Sequence, residues 1–166
     1  KAGAAALSDD GCNVDNADLM RDALIRARGL HLPILSHCED TSMAGNRALN
    51  EGRVSRQLWM EGRPAIAEEI MVMRDAMLAE ETGAAVHICH VSTAKSVSII
   101  RSMKKKGVSI TCETCPQYFT LTEDEILTQG SLARVNPPLR TQKDVHGIVS
   151  GLRDGTIDAI ATDHAP

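Results

Sequence analysis

The stretch Ile157-Asp-Ala-Ile-Ala-Thr-Asp-His-Ala-Pro166 reads as a strand and its tip. Ile157, Ala159, Ile160 and Ala161 make a nearly continuous apolar run, the pattern of a parallel strand covered on both faces. It ends in Asp163 and His164, groups that bind metal or move protons, and Pro166 cannot extend a ladder. An aspartate at the C-terminal tip of a buried strand is how α/β proteins present chemistry. Taken alone, Asp163 is more simply a turn residue. The other strands decide.

Upstream, Thr141-x-x-Asp144 is a capping box for a helix whose apolar side is Val145, Ile148, Val149 and Leu152, ended by Gly155. Before it lie the irregular Asn136-Pro137-Pro138, a loop over 114–130 with a helical turn near Glu123–Leu127, and a strand over Val108–Glu113. A helix carrying Val97, Ile100 and Met103 runs from a cap at Ser92 to Gly107, following a strand over Ala85–His90. The longest helix opens at Pro64 and closes at Gly83. Its Ile66, Ile70, Met73 and Met77 recur at helical spacing and are expected in the core. Residues 41–62 have no clear period and read as an excursion with short helices. Further back lie a strand over Ile34–His37, a helix over Asn16–Arg28 stopped by Gly29, and a strand over Gly3–Ser8. The helix stripe is Leu19, Met20, Ala23, Leu24 and Ala27.

Strict alternation of strand and helix calls for parallel strands with right-handed crossovers. A doubly wound sheet would want a Gly-rich phosphate turn after a strand, and the sequence has none. A complete (β/α)8 barrel needs ~250 residues. The α/β chain of 166 residues therefore reads as parallel (β/α) units forming part of such a barrel, about its fourth to eighth strands in one catalytic domain. It begins at Lys1 in an apolar stretch and reads as cut from something longer.

Composition is that of a globular protein, 43% hydrophobic and 24% charged, with net charge −4. The one basic run, Lys104–Lys106, falls at a helix C-terminus, where cations suit the dipole. Nucleic acid and membrane are not expected partners; a small-molecule substrate is. Five scattered cysteines suit a reducing, cytoplasmic setting.

The strand tips carry Asp9 and Asp10, His37, His90, Glu113 and Asp163. Imidazoles and carboxylates, with no reactive Ser or Lys among them, are a ligand set for zinc or a similar divalent ion. Asp10, His37, His90 and Asp163 are therefore the candidate metal ligands. Three other histidines are set aside: His31 precedes a strand, His87 has the opposite pleat parity to His90, and His146 lies on an amphipathic helix. Cys112-Glu-Thr-Cys115 has the spacing of half a zinc ribbon without a second pair.

In order along the chain, Ser8-Asp-Asp-Gly11, His37-Cys-Glu-Asp40, His90-Val-Ser-Thr93, Asn136-Pro-Pro-Leu-Arg140 and Asp158 to Pro166 resemble the motifs of class I dihydroorotases. These are metal-dependent amidohydrolases with a distorted (β/α)8 barrel. The resemblance implies that Asp10 bridges two zinc ions, that His37 and His90 bind the second, and that Asp163 binds the first and is the catalytic acid/base. It makes Asn136 a substrate contact. It further implies reversible cyclisation of N-carbamoyl-L-aspartate to dihydroorotate in pyrimidine biosynthesis, with a metal-activated hydroxide attacking the cyclic amide in the reverse direction. A homo-oligomer, or a complex with another pyrimidine-pathway enzyme, fits that reading.

The family's His-x-His-x-Arg motif is missing, as is the histidine usually found after Asp-His-Ala-Pro, and both gaps fall at cut ends. The isolated piece is therefore expected to be inactive. Cys115-Pro-Gln-Tyr118 looks more like hydantoinases and allantoinases, but those usually bridge their metals with a carboxylated lysine, where this chain has Asp10. The alternatives are such a cyclic amidohydrolase, or a non-catalytic dihydroorotase-like subunit.

Overall fold

Five short parallel strands hydrogen-bond side by side in the order in which the chain makes them. The computed structural model describes residues 3–10 and 13–164. Gly11 and Pro166, which the sequence reading used at two strand tips, lie outside the described residues. The strands are β1 (Leu7–Ser8), β2 (Ile34–Ser36), β5 (Val86–Ile88), β6 (Ile110–Thr114) and β7 (Ala159–Ile160). Between β2 and β5 the excursion folds as α2 (Thr41–Ala44), β3 (Leu49–Asn50), α3 (Arg53–Gln57) and β4 (Gly62–Arg63), with β3 and β4 paired on their own.

The helices α1 (Ala17–Gly29), α4 (Ile66–Thr82), α5 (Ala94–Lys105) and α8 (Gln142–Arg153) pack each against the next. Their buried side chains form one core with Ile34, Val86, Ile88, Ile110 and Cys112 of the strands. One face of the sheet is thus covered by helices. A row in register on the other face, Leu35, His87 and Thr111, stands outside this core and is at least partly exposed among the described residues. A doubly wound sheet reverses its strand order and carries helices on both faces. Sequential order with one helical layer is an arc of a (β/α)8 barrel, as the alternation predicts. After β6 come α6 (Pro116–Thr120), α7 (Glu125–Gln129) and a 3₁₀ turn over Gly130–Ala133, in place of the single helical turn expected there.

The caps follow local chemistry. Asn16 accepts from the Leu19 N–H at the start of α1, and Thr141 and Asp144 form the expected reciprocal box at α8. Two expected caps move. Thr93, not Ser92, caps α5, because the Ser92 hydroxyl is taken by Glu68. Gly29 stays helical, and the left-handed residue after α1 is His31, at φ 56°.

Three packing expectations fail. Ile66, Ile70, Met73 and Met77 of α4 are exposed, Met77 by 57%, while Ala67, Met71, Val72, Ala76 and Ala79 face the core. Both sets have helical spacing, so periodicity could not choose between them; the small residues are those that let α4 lie between α1 and α5. In α1, Leu19 points outward at 60% exposure, leaving Met20, Leu24 and Ala27 buried. In β7, Ala159 and Ile160 are exposed, because among the described residues this strand has a neighbour on one side only.

Candidate metal centre

Asp9 and Asp10 follow β1 but do different work. Asp9 accepts the His37 N–H at 2.8 Å and the Val14 N–H at 3.3 Å, stapling the β1 tip to that of β2. The Asp10 N–H donates to the Ser8 hydroxyl at 3.1 Å, and its own carboxylate lines the cavity. His37, one residue past β2, brings Nδ1 to 2.8 Å from His90 Nε2 and 3.5 Å from Asp10 Oδ1. The two rings meet edge to face with centroids 4.5 Å apart. Two imidazole nitrogens and a carboxylate oxygen thus converge on one point from the tips of three strands.

His90 reaches this point against the pleat. Ile88 faces the helices, so alternation would send His90 after it. Instead His90 adopts φ 37°, a left-handed conformation that swings its ring onto His37. Parity was therefore the wrong ground for setting His87 aside. His87 faces the open side one layer deeper, its Nε2 3.3 Å from Glu113 and its Nδ1 2.8 Å from the Thr111 hydroxyl. Cys89 lies beside them, its thiol pKa pushed up to about 12 by burial and the Glu113 charge. His31 and His146 lie apart from the cluster: His31 is the residue that turns the chain after α1, and His146 pairs with Gln142 on α8.

Burial opposes charge on His37, but Glu39, Asp10 and Asp9 outweigh it and its pKa stands above the ordinary histidine value. His90 is shifted the opposite way, by burial and by the charge of His37, and stands below that value. Glu39 lies 3.8 Å behind His37 Nε2, on the side away from Asp10 and His90. Burial would raise its pKa, yet His37 and Arg63 hold it down.

The cavity over these groups, about 370 Å³, is also lined by Asp163, Asn136, Gln117 and Arg134. Asp163 thus shares the space with the other three expected ligands but stands outside their tight cluster. Asn136 is held at the mouth through its Oδ1, which accepts from the Arg63 guanidinium. Gln117, Arg134, Glu39 and Arg63 were not singled out from the sequence. Only Glu39 had a signal there, two residues after His37 and so on the same side of the strand's path.

Fold and site together define a class: a (β/α) barrel arc with imidazole and carboxylate groups gathered beyond the C-terminal ends of its strands, as in the amidohydrolase barrels. Comparison with known proteins narrows this. A dihydro-orotase-like family model matches residues 1–96. The chain is 54% identical over its whole length to the dihydroorotase of Pelobacter propionicus, and 52% identical over 99% of its length to that of Acetivibrio thermocellus. In each case it spans 39% of the relative, about two fifths of its length. Among solved structures, D-hydantoinase from Bacillus sp. AR9 superposes with a TM-score of 0.82 at 23% identity, covering 99% of this chain and 38% of that one. Dihydropyrimidinase from Brevibacillus agri gives a TM-score of 0.76 at 26% identity, over 91% and 34%. The chain belongs to the dihydro-orotase-like family.

Proposed function

We propose that this chain supplies about the fourth to eighth strands of a dihydroorotase barrel. In the complete barrel, its site interconverts dihydroorotate and N-carbamoyl-L-aspartate for pyrimidine biosynthesis. The observation that carries the reading is the convergence of Asp10, His37 and His90 in a cavity shared with Asp163 and Asn136. The dihydroorotases 54% and 52% identical to the chain favour this substrate over hydantoins or allantoin.

The donor set fits a divalent ion: two imidazoles and a carboxylate meet within ligand reach of one point, and nitrogen and oxygen donors of this kind suit zinc. Asp10, His37 and His90 would hold one ion. Asp10 and Asp163 would contribute to a second, together with groups from the rest of the barrel. The chemistry that such ions supply when bound is activation of water and polarisation of the amide carbonyl.

The chain's own residues do the rest. His90, its pKa lowered, is neutral near pH 7 and has a lone pair to offer. Asp163 is exposed at the cavity wall, placed to accept a proton from the attacking water and pass it to the leaving ring nitrogen. Asn136 has its carbonyl oxygen occupied by Arg63, which leaves its NH₂ to donate to a substrate oxygen. The described cysteines, Cys38, Cys89, Cys112 and Cys115, are free thiols, as suits a cytoplasmic enzyme.

The test compares two variants in the complete barrel, with zinc content measured beside turnover. Asp10→Asn should lose zinc and activity together, since a neutral amide is a poor bridging ligand. Asp163→Asn should keep most of its zinc while the rate falls by ~10²–10⁴-fold. The 166-residue chain alone should turn over no dihydroorotate. Full zinc in Asp10→Asn, or near wild-type turnover in Asp163→Asn, would overturn the assignment.

A further inference from the structure

Arg63 closes β4, one residue past the segment whose sequence has no clear period. It is half-buried, and two of its three guanidinium nitrogens are engaged. Nε donates to the Arg47 carbonyl at 2.9 Å, and Nη1 donates both to Glu39 Oε1 and to Asn136 Oδ1. Its own carbonyl accepts from Arg140 at 3.2 Å.

The two acceptors of Nη1 belong to different parts of the site. Glu39 stands behind His37, opposite the nitrogen that faces Asp10 and His90. At 3.8 Å this carboxylate acts on the ring through its charge, favouring the orientation that turns Nε2 toward it and raising the basicity of the facing nitrogen. Asn136 lines the cavity from the loop between the 3₁₀ turn and α8. Nη1 has one N–H for each acceptor, and the two diverge at a fixed angle in the guanidinium plane; a lysine ammonium, on a shorter stem and free to rotate, fixes no such pair of directions.

We propose that Arg63 is a positioning residue that sets the metal-ligand face of His37, through Glu39, and the substrate-facing amide of Asn136 with one guanidinium. This deepens the functional reading above and rests on it for the roles of His37 and Asn136. Arg63 touches neither metal nor substrate. Its removal should release both groups at once.

The test uses Arg63→Gln and Arg63→Lys beside Glu39→Gln and Asn136→Ala, with two readouts. Zinc affinity, by chelator competition, and KM and kcat for dihydroorotate are all read on the complete barrel. Glu39→Gln should weaken zinc binding by ~10–100-fold, the usual effect of removing an outer partner of a metal-bound histidine. Asn136→Ala should raise KM and leave zinc affinity unchanged. Arg63→Gln should do both, and adding Glu39→Gln to it should weaken zinc binding no further. Arg63→Lys should recover part of the zinc affinity and little of the KM.

The proposal is overturned if Arg63→Gln lowers thermal stability while zinc affinity and KM stay at wild-type values, or if its zinc effect adds fully to that of Glu39→Gln. The zinc arm does not depend on turnover. A complete barrel inactive on dihydroorotate would therefore refute the functional reading, while the Arg63–Glu39–His37 link would still stand or fall on its own measurement.

Discussion

Arg140→Met should destabilise the protein by about 4 kcal/mol. The Arg140 guanidinium is 3% exposed and lies 3.8 Å from Glu68, which is 4% exposed. It donates to the Ser92 hydroxyl at 3.1 Å, to Asn50 Oδ1 at 3.0 Å and to the Arg63 carbonyl at 3.2 Å. Burial lowers its pKa against the pull of Glu68 and Asp144, but a guanidinium stays charged in any case.

Taking one partner from a buried pair costs about 3–5 kcal/mol, because the other charge is left uncompensated. Here Glu68 keeps the N–H groups of Ser92 at 3.1 Å and Thr93 at 3.2 Å and sits at the positive end of α5, which argues for the lower bound. Asn50 Oδ1 loses a donor in a buried setting, for about 1 kcal/mol more. Methionine fills much of the volume, so little cavity term is added. Urea unfolding at neutral pH reads the loss as a shift in midpoint with unchanged slope. Glu68→Gln combined with Arg140→Met should recover a good part of it, since the amide removes the uncompensated charge while its oxygen still accepts from the Ser92 and Thr93 N–H groups. A single-mutant loss under about 1 kcal/mol, or a double mutant as weak as the sum of the singles, would refute the account.

Three further outcomes are expected. Gly62→Ala should destabilise by about 1–3 kcal/mol and loosen the β3–β4 pair, because the added Cβ would fall 2.2 Å from the Glu51 Cα, a backbone atom that cannot swing aside; thermal melting checks it. Met71→Ala should cost about 2–5 kcal/mol while Met77→Ala, on the same helix, stays within about 0.5 kcal/mol, because only the first is in the core; equal losses in urea titrations would contradict the packing of α4. Glu69→Gln should stabilise the protein at neutral pH. Burial, Glu68 and Asp144 raise the Glu69 pKa above the ordinary 4.5, so the native state holds this proton more tightly than the unfolded chain and loses stability as pH rises from about that value. The gain from glutamine should vanish below that range, which stability curves against pH will show.

The fold was legible because its signals were local and repeated. Each strand was a short apolar run, each long helix had a cap or a glycine stop, and their alternation left few topologies. The cluster was legible for the same reason: Asp10, His37 and His90 end strands, and strand ends meet on one rim. What periodicity could not do was choose between two apolar stripes on α4, since that depends on the room left by α1 and α5. Nor could it see His90 leave the pleat, because one backbone angle decides that. Arg63 was invisible for a different reason. Its partners Glu39 and Asn136 lie 24 and 73 residues away, and no local pattern marks a side chain for such distant contacts.

The backbone at His90 and Asp163, at φ 37° and 49°, narrows which side chains these positions can carry before any chemistry is asked of them. A left-handed conformation costs most L-residues about 1–2 kcal/mol, and after glycine it is Asn, Asp and His that enter it most readily. Two of those, Asp and His, are also among the best ligands for a divalent ion. Glutamate could reach a metal from position 163, but its longer stem is poorly suited to the bend. In Asp163→Glu the carboxylate would be retained and the turn that aims it strained, so conserving the charge there does not conserve the site.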